Sequence, residues 1–240
     1  MINSSNPSRQ LLNHLMQVHG NQDSLPAQKF RPQALRFITK LENNKSSIAF
    51  DVKNAVSIEG SKINQVLLTT NDVFVVSHLG FMIEKVRIQD GKRKFGNARA
   101  LPYPDRAVFN GAPVAPSLFS EAECLEAIYN GLLSFKTGDY TRLGDFPMSY
   151  FRITPETQQS ATTEPSLPGQ VVRETVLNYY MSGTQSHKIE VAYPEAVDVS
   201  QLEGSDAEFE NYLVCYAYGV LIVDGAQSPE LLQIATPAQK

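Results

Sequence analysis

The sequence predicts a mainly β protein in which two sheets stack as a sandwich or close into a barrel. Short runs rich in β-branched and aromatic residues recur at intervals of roughly 8–12 residues, with turn signals between them. Two short stretches have helical periodicity instead. A chain of 240 residues is long enough to bury a full core, and no run reaches the ~18 apolar residues needed to cross a bilayer.

The first predicted helix covers the N-terminal segment PSRQLLNHLMQVHG. Its apolar residues recur three and four positions apart, which gives one apolar face, and Gly20 follows as a stop signal. The second helix is predicted within SEAECLEAIYNG, where Ser120 and Glu123 form a capping box. Its apolar face would consist of Leu125, Ile128 and Tyr129.

Several stretches read as strands. SSIAFDV alternates, with Ile48, Phe50 and Val52 on one side. VVRETVLNYYMSG alternates imperfectly, HKIEVAYP alternates and ends at Pro194, and NQVLLTT is short and β-branched. NYLVCYAYGVLIVDG is a long apolar run that is closed by Asp224-Gly225.

The run NDVFVVSHLGFMI is the most apolar stretch, and it is apolar on both alternating faces. This pattern predicts a central strand that is covered on both sides. The run becomes half polar after Ile83 and reaches Asp90-Gly91, which predicts a type I′ hairpin with KRKFG as the return strand.

The polar stretch 158–170 is the best candidate for a boundary between two structural units of the chain. It divides the chain into an N-terminal helix or arm (1–20), a first β-sandwich unit (21–157), a polar connector (158–170) and a second β unit (171–240). The alternative is a single domain in which 158–170 is one long exposed loop.

Composition argues against several function classes. The net charge of -4 and the pI of about 5.6 give no global attraction to nucleic acid. The polar N-terminal segment lacks the apolar region of a signal peptide. Cys124 and Cys215 belong to no C-x-x-C pair and are predicted to be buried free thiols.

His78, in the middle of the most apolar run, is the first candidate for chemistry. A metal site needs a cluster of ligands, and none of the four histidines has His-x-His spacing. We therefore expect a core or interface histidine whose hydrogen bonds are satisfied, with assembly-linked protonation as the alternative, and neither a metal nor a cofactor.

A basic group lies around the predicted hairpin. GKRKFGN resembles a phosphate loop, but Asn97 stands where the lysine would be needed. Charged residues on a hairpin edge prevent unwanted strand pairing, which is the interpretation we favour over a patch for nucleic acid or lipid headgroups. The group consists of Lys85, Arg87, Lys92, Arg93, Lys94 and Arg99.

Motifs of catalytic nucleophiles are missing, because the sequence contains neither G-x-S-x-G nor S-x-x-K. Asp139 and Asp145 could form a carboxylate pair, but their flanking glycines favour turns. The tyrosines of the long apolar run are predicted to serve packing or subunit contact rather than sugar stacking. They are Tyr212, Tyr216 and Tyr218. We therefore expect no catalytic residue and no enzyme.

The order of elements carries a family resemblance. Tyr129 to Gln159 combines a short helix with Tyr-Asn-Gly, a strand, a turn and a strand ending in a Pro-x-x-Gln-Gln loop. Tyr180 to Pro194 combines a strand, a Ser-Gly turn and an apolar strand into proline, and FITKLENNKSSIAFDV is followed by NDVFVVSHLGFMI. In these stretches, about half of the chain, the sequence resembles the jelly-roll coat proteins of tailless icosahedral bacteriophages, although it lacks a diagnostic motif.

The resemblance implies a jelly-roll sandwich, most simply a double jelly roll, with an N-terminal helix and one short internal helix. Two jelly rolls need about sixteen strands, and we count only about a dozen, so a single jelly roll with insertions is the alternative.

The implied function is a structural coat subunit of a bacterial virus, located in the virion and assembled in the host cytoplasm. Its partners would be copies of itself as homotrimers, neighbouring capsomers and minor capsid proteins, without sequence-specific nucleic acid. An internal membrane could contact the N-terminal helix, although packing on the subunit's own sheet is the alternative we favour. That contact would use Leu11, Leu12, Leu15 and Met16. The rival function is a β-sandwich binding module, such as a virion spike or accessory protein that recognises a glycan or a host surface.

Overall fold

The computed structural model describes residues 7–19, 29–52, 68–94, 99–101, 126–152, 173–199, 209–228 and 230–231. The helix α1 covers Pro7–His19. The strands are β1 (Phe30–Lys40), β2 (Lys45–Asp51), β3 (Val73–Gln89), β4 (Lys92–Arg93), β5 (Arg99–Leu101), β6 (Leu132–Thr137), β7 (Tyr140–Pro147), β8 (Arg173–Ser182), β9 (His187–Val197) and β10 (Phe209–Ile222).

The strands form two antiparallel sheets. The larger sheet has six strands in the order β1-β10-β3, and β8, β5 and β4 pair successively with β3. The smaller sheet has four strands in the order β2-β9-β6-β7. Because β10 pairs with β3 along most of its length, β8, β5 and β4 must share the opposite edge of β3.

The two sheets enclose the main core. Phe81 from the larger sheet and Phe50 from the smaller one have ring centroids 6.2 Å apart, and Phe81 also meets Phe151 edge-on at 5.2 Å. Phe135, Ile189 and the other inward side chains of β6 and β9 complete this cluster. Close packing of this kind is the main source of the fold's stability.

A second, smaller cluster lies on the opposite face of the larger sheet. Leu11 and Leu15 of α1 pack there against Phe30, Val73 and Val75. The larger sheet is therefore covered on both faces at this end, which explains why Val73–Val76 of β3 and Val220–Ile222 of β10 are apolar in every position rather than in every second one.

The mainly β class is confirmed, and so are most of the individual elements. The helix α1 ends at His19 as predicted, and Ile48 and Phe50 of β2 are buried in the main core together with Val52, which directly follows the strand. β3 is a central strand that is buried on both faces. Its hairpin has positive φ at Asp90 (54°) and Gly91 (69°), the backbone of a type I′ turn.

Other expectations were wrong or only partly tested. β9 continues beyond Pro194 to Val197, because its pairing with β2 becomes irregular between Ala192 and Val197 and leaves the proline outside a regular ladder. The return strand β4 is limited to Lys92–Arg93. Leu68 to Thr70 form no strand.

Two further predictions fall largely outside the described residues. In the second predicted helix only residues 126 and 127 are described as helical, followed by a turn, and the capping box at Ser120 and Glu123 lies outside. The same holds for Gly20, for the remainder of NQVLLTT, for Cys124 and for the connector 158–170.

The strands on either side of that connector pair with one another in both sheets. β8 and β10 pair with β3, and β9 pairs with β2 and β6. Residues 21–157 and 171–240 therefore do not form separate sheets, and both sheets need strands from each part.

Candidate assembly surface

His78 lies on the outer face of the larger sheet, next to a β-bulge. The pairing of β3 with β10 skips Ser77, whose hydroxyl donates to the Tyr218 carbonyl at 3.2 Å. His78 is half-buried, and its Nδ1 lies 2.9 Å from the Ser77 hydroxyl. Within the described ranges no group of three or more His, Cys, Asp or Glu residues is arranged to hold a metal ion.

The histidine that is fully buried is His187, which sequence reasoning did not single out. Its Nε2 donates to the Ser182 carbonyl at 2.9 Å, and its Nδ1 is hydrogen-bonded to the Thr137 hydroxyl at 3.0 Å. The ring also stacks on Phe135 at a centroid distance of 6.2 Å. These contacts join β6, β8 and β9, so the residue acts as a structural tie.

The two aspartates lie in turn-like backbone on the β6–β7 hairpin. Asp139 follows Gly138, which has a φ of 55° in the turn, and Asp145 itself has a φ of 53° within β7. Both side chains are exposed. Exposed carboxylates in such positions fit the turn interpretation, since a catalytic acid would need burial or a charged neighbour to tune it.

Parts of the basic group at the β3–β4 hairpin are engaged within the sheet. The Lys85 ammonium lies 4.5 Å above the Phe209 ring, and Arg93 Nη2 donates to Glu210 at 3.2 Å. Lys40 also donates to Glu210, at 2.8 Å. The hydrogen bond from Arg93, together with those from Lys40 and Tyr212, lowers the pKa of Glu210 to about 2, although partial burial opposes this shift. The contacts tie the hairpin to the first residues of β10, and the Arg99 side chain lies outside the described part.

The tyrosines of β10 share the outer face of the larger sheet. Tyr212 is buried and donates to Glu210, whereas Tyr216 and Tyr218 are half-buried with ring centroids 6.2 Å apart. Burial raises the pKa of Tyr212 and of Tyr218. Beside them Arg36 and the buried Glu84 form an ion pair.

The apolar face of α1 is occupied by the chain's own sheet. Leu11 and Leu15 are buried in the cluster on the larger sheet, and Leu12 and Met16 are partly buried against it. This is the alternative that we favoured over a membrane contact. Among the helical residues that the structure describes, no helix has the length and hydropathy needed to cross a membrane.

The smaller sheet presents an exposed outer face with an unusual composition. Four register partners, one from each strand, form an uncharged row: Ser47, Ala192, Leu132 and Pro147. All four are exposed, and Leu132 retains 38% of its accessible surface. A solvent-facing sheet surface normally carries charged or long polar side chains, so an uncharged row marks a candidate contact surface.

Charged residues stand on one side of the uncharged row. On the same outer face, Lys136 and Lys188 donate to Glu190 at 2.7 and 3.0 Å. Two hydrogen bonds lower the pKa of Glu190, and the one from Lys136 has a larger effect than the one from Lys188. Sequence reasoning missed this face, although Leu132 next to Leu133 in GLLSFKT gave a signal, since only one of two adjacent strand residues can point inward.

The chain matches no family model, no curated protein and no solved structure in the comparisons with known proteins.

Proposed function

We propose that this chain is a structural coat subunit that self-assembles into the icosahedral shell of a bacterial virus, and that it is built as a single jelly roll. The observation that carries the proposal is the pairing of its eight long strands. The two short strands β4 and β5 are then an insertion at the edge of β3.

The pairing follows a simple nesting rule. Among the long strands, the first pairs with the last (β1–β10), the second with the seventh (β2–β9), the third with the sixth (β3–β8) and the fourth with the fifth (β6–β7). Such nesting describes one long hairpin ribbon. The additional pairs β10–β3 and β9–β6 join its turns into two sheets, which supports a jelly-roll arrangement.

A filled interior favours a structural role over a ligand-holding one. Jelly rolls serve as capsid domains, lectins and cupins, and cupins hold their metal between the two sheets. In this chain that space contains Phe50, Phe81 and Phe135, each almost fully buried. Hydrocarbon packing at this position leaves the outer faces as the surfaces on which this chain would act.

Those outer faces fit association with further copies better than catalysis. The larger sheet is covered by α1 at one end, and the smaller sheet presents the uncharged row to solvent. The resemblance in strand and turn order to the coat proteins of tailless bacteriophages supports the same conclusion. A coat subunit acts through geometry and repeated weak contacts rather than through a reactive centre.

Electron microscopy and sedimentation of the purified chain test this proposal. We expect oligomers with a trimer as the smallest unit, and sheets or closed shells as protein concentration rises. A chain that stays monomeric up to about 1 mM, where even weak specific contacts form, would overturn the coat function. Monomeric behaviour together with binding on a glycan array would instead establish the rival binding module.

A further inference from the structure

We infer that the exposed outer face of the smaller sheet is a contact between two copies of this chain, packed face to face around a two-fold axis that runs parallel to the uncharged row. The inference rests on the proposed coat function and names the surface that would carry part of it.

The side chains of this face allow another sheet to approach closely. Ala49, Ala192 and Ser47 are small and exposed, and Ser134 is half-buried beside them. Leu132 stands above these small residues as an apolar side chain that a second sheet would cover. Sheets that pack face to face lie about 10 Å apart, and a flat surface of small residues around one larger residue suits that spacing.

The charges favour one orientation of the second copy. Lys136, Lys188 and Glu190 all lie on one side of the uncharged row, where Asp51 is the register partner of Lys188, so this side carries charges of both signs. If the two-fold axis is parallel to the row, the row of one copy lies opposite the row of the other. The two charged clusters then lie at opposite ends of the interface. Each cluster then faces the end of β9 that carries Pro194, so the charged groups of the two copies do not have to lose water against one another.

The size of the face predicts a weak contact. Four strands about 4.8 Å apart, with paired stretches of six residues in β6 and seven in β2 at about 3.3 Å per residue, give a face of roughly 20 Å by 22 Å. Two such faces would bury on the order of 900 Å², which is less than the ~1,200 Å² that stable interfaces bury. We therefore expect this contact to form at protein concentrations of about 0.1 mM, as one of several that together hold a shell.

Sedimentation velocity on the full chain and three variants tests the inference. Leu132→Asp and Ala192→Arg place a charge and a bulky side chain on the uncharged row. Tyr140→Asp is the matched control, because it changes an exposed apolar residue (56% exposed) on the same hairpin, near the turn and away from the row. Thermal unfolding of each variant establishes that it is folded.

We expect Leu132→Asp and Ala192→Arg to raise the concentration needed for association at least tenfold, with Tyr140→Asp within twofold of the wild type. If the wild type assembles and both row variants assemble equally well, this face is not a contact, although the coat function stands. A wild type that never associates overturns both proposals. If Leu132→Asp fails to fold, Ala192→Arg decides alone.

Discussion

At the scale of single residues, Gly219 is a position where the fold leaves no room for a side chain. It lies on β10 beside the β3 bulge, and a Cβ built there would come within 1.9 Å of the Val75 carbonyl oxygen. The atoms that this Cβ would meet belong to the backbone of β3, which cannot move aside as a flexible side chain can.

We predict that Gly219→Ala lowers the free energy of unfolding by about 3–5 kcal/mol, the range of severe steric changes in a core. Gly144→Ala is the control, since its Cβ would meet only the Thr141 methyl group at 3.5 Å. That change should stay within about 0.5 kcal/mol. Urea denaturation measures both values, and equal losses would contradict the prediction.

Glu210 makes stability depend on acidity. Its pKa is about 2 in the folded chain, compared with about 4.3 for an unfolded glutamate. A lowered pKa stabilises the fold above the unfolded value, and this contribution disappears as the pH falls from about 4.5 towards 2.

Glu210→Gln should therefore be less stable than the wild type by about 1–3 kcal/mol at pH 7, the range for hydrogen bonds to a charged group. The difference should shrink steadily below about pH 4.5. Denaturation curves at pH 7, 4 and 3 test this, with Glu195→Gln as an exposed control. A difference that does not change with pH would mean that the carboxylate charge is not what stabilises the fold.

At the scale of elements, α1 is held to the larger sheet by one apolar face. Leu15 is fully buried in the cluster with Phe30 and Val73, whereas Leu12 on the neighbouring face is only partly buried. We predict that Leu15→Ala costs about 2–4 kcal/mol and Leu12→Ala less than half as much, because a buried truncation also leaves a cavity. Thermal unfolding compares the two, and equal costs would mean that α1 does not pack as a fixed element.

An element could be predicted where its structure depends on residues that are close together in the sequence, and not where it depends on distant ones. The alternation in SSIAFDV and the Asp90-Gly91 turn are local signals, and both led to the observed structure. The continuation of β9 through Pro194 depends on its irregular pairing with β2, which the local sequence does not reveal. The contacts of His187 depend on Thr137, fifty positions away, and were missed for the same reason.

At the scale of the whole molecule, the nesting of strands makes the two parts of the chain interdependent. β8, β9 and β10 come after the connector 158–170, yet each pairs with strands that come before it. The sequence suggested two β units here because a polar stretch looks the same whether it joins two domains or crosses between strands of one.

We predict that fragments 1–157 and 171–240, expressed separately, each remain unfolded, since each would expose the unpaired edges and apolar faces of both sheets. The intact chain should unfold in one cooperative transition. Circular dichroism and amide hydrogen exchange measure both outcomes. A folded fragment, or two separate transitions in the intact chain, would contradict a shared pair of sheets.

The nesting also determines how the fold responds to mechanical force. β1 and β10 are antiparallel neighbours, with Phe30 opposite Ile222, and the amide of Val223 donates to the Lys29 carbonyl at 3.0 Å. Tension applied at Lys29 and Val223 would therefore peel the strands apart one rung at a time instead of loading all rungs together. In optical-tweezer pulling from these two points the chain should yield at low force. Pulling on Phe30 and Tyr212, which lie at opposite ends of the β1–β10 pair, should meet much greater resistance, because it loads all rungs together.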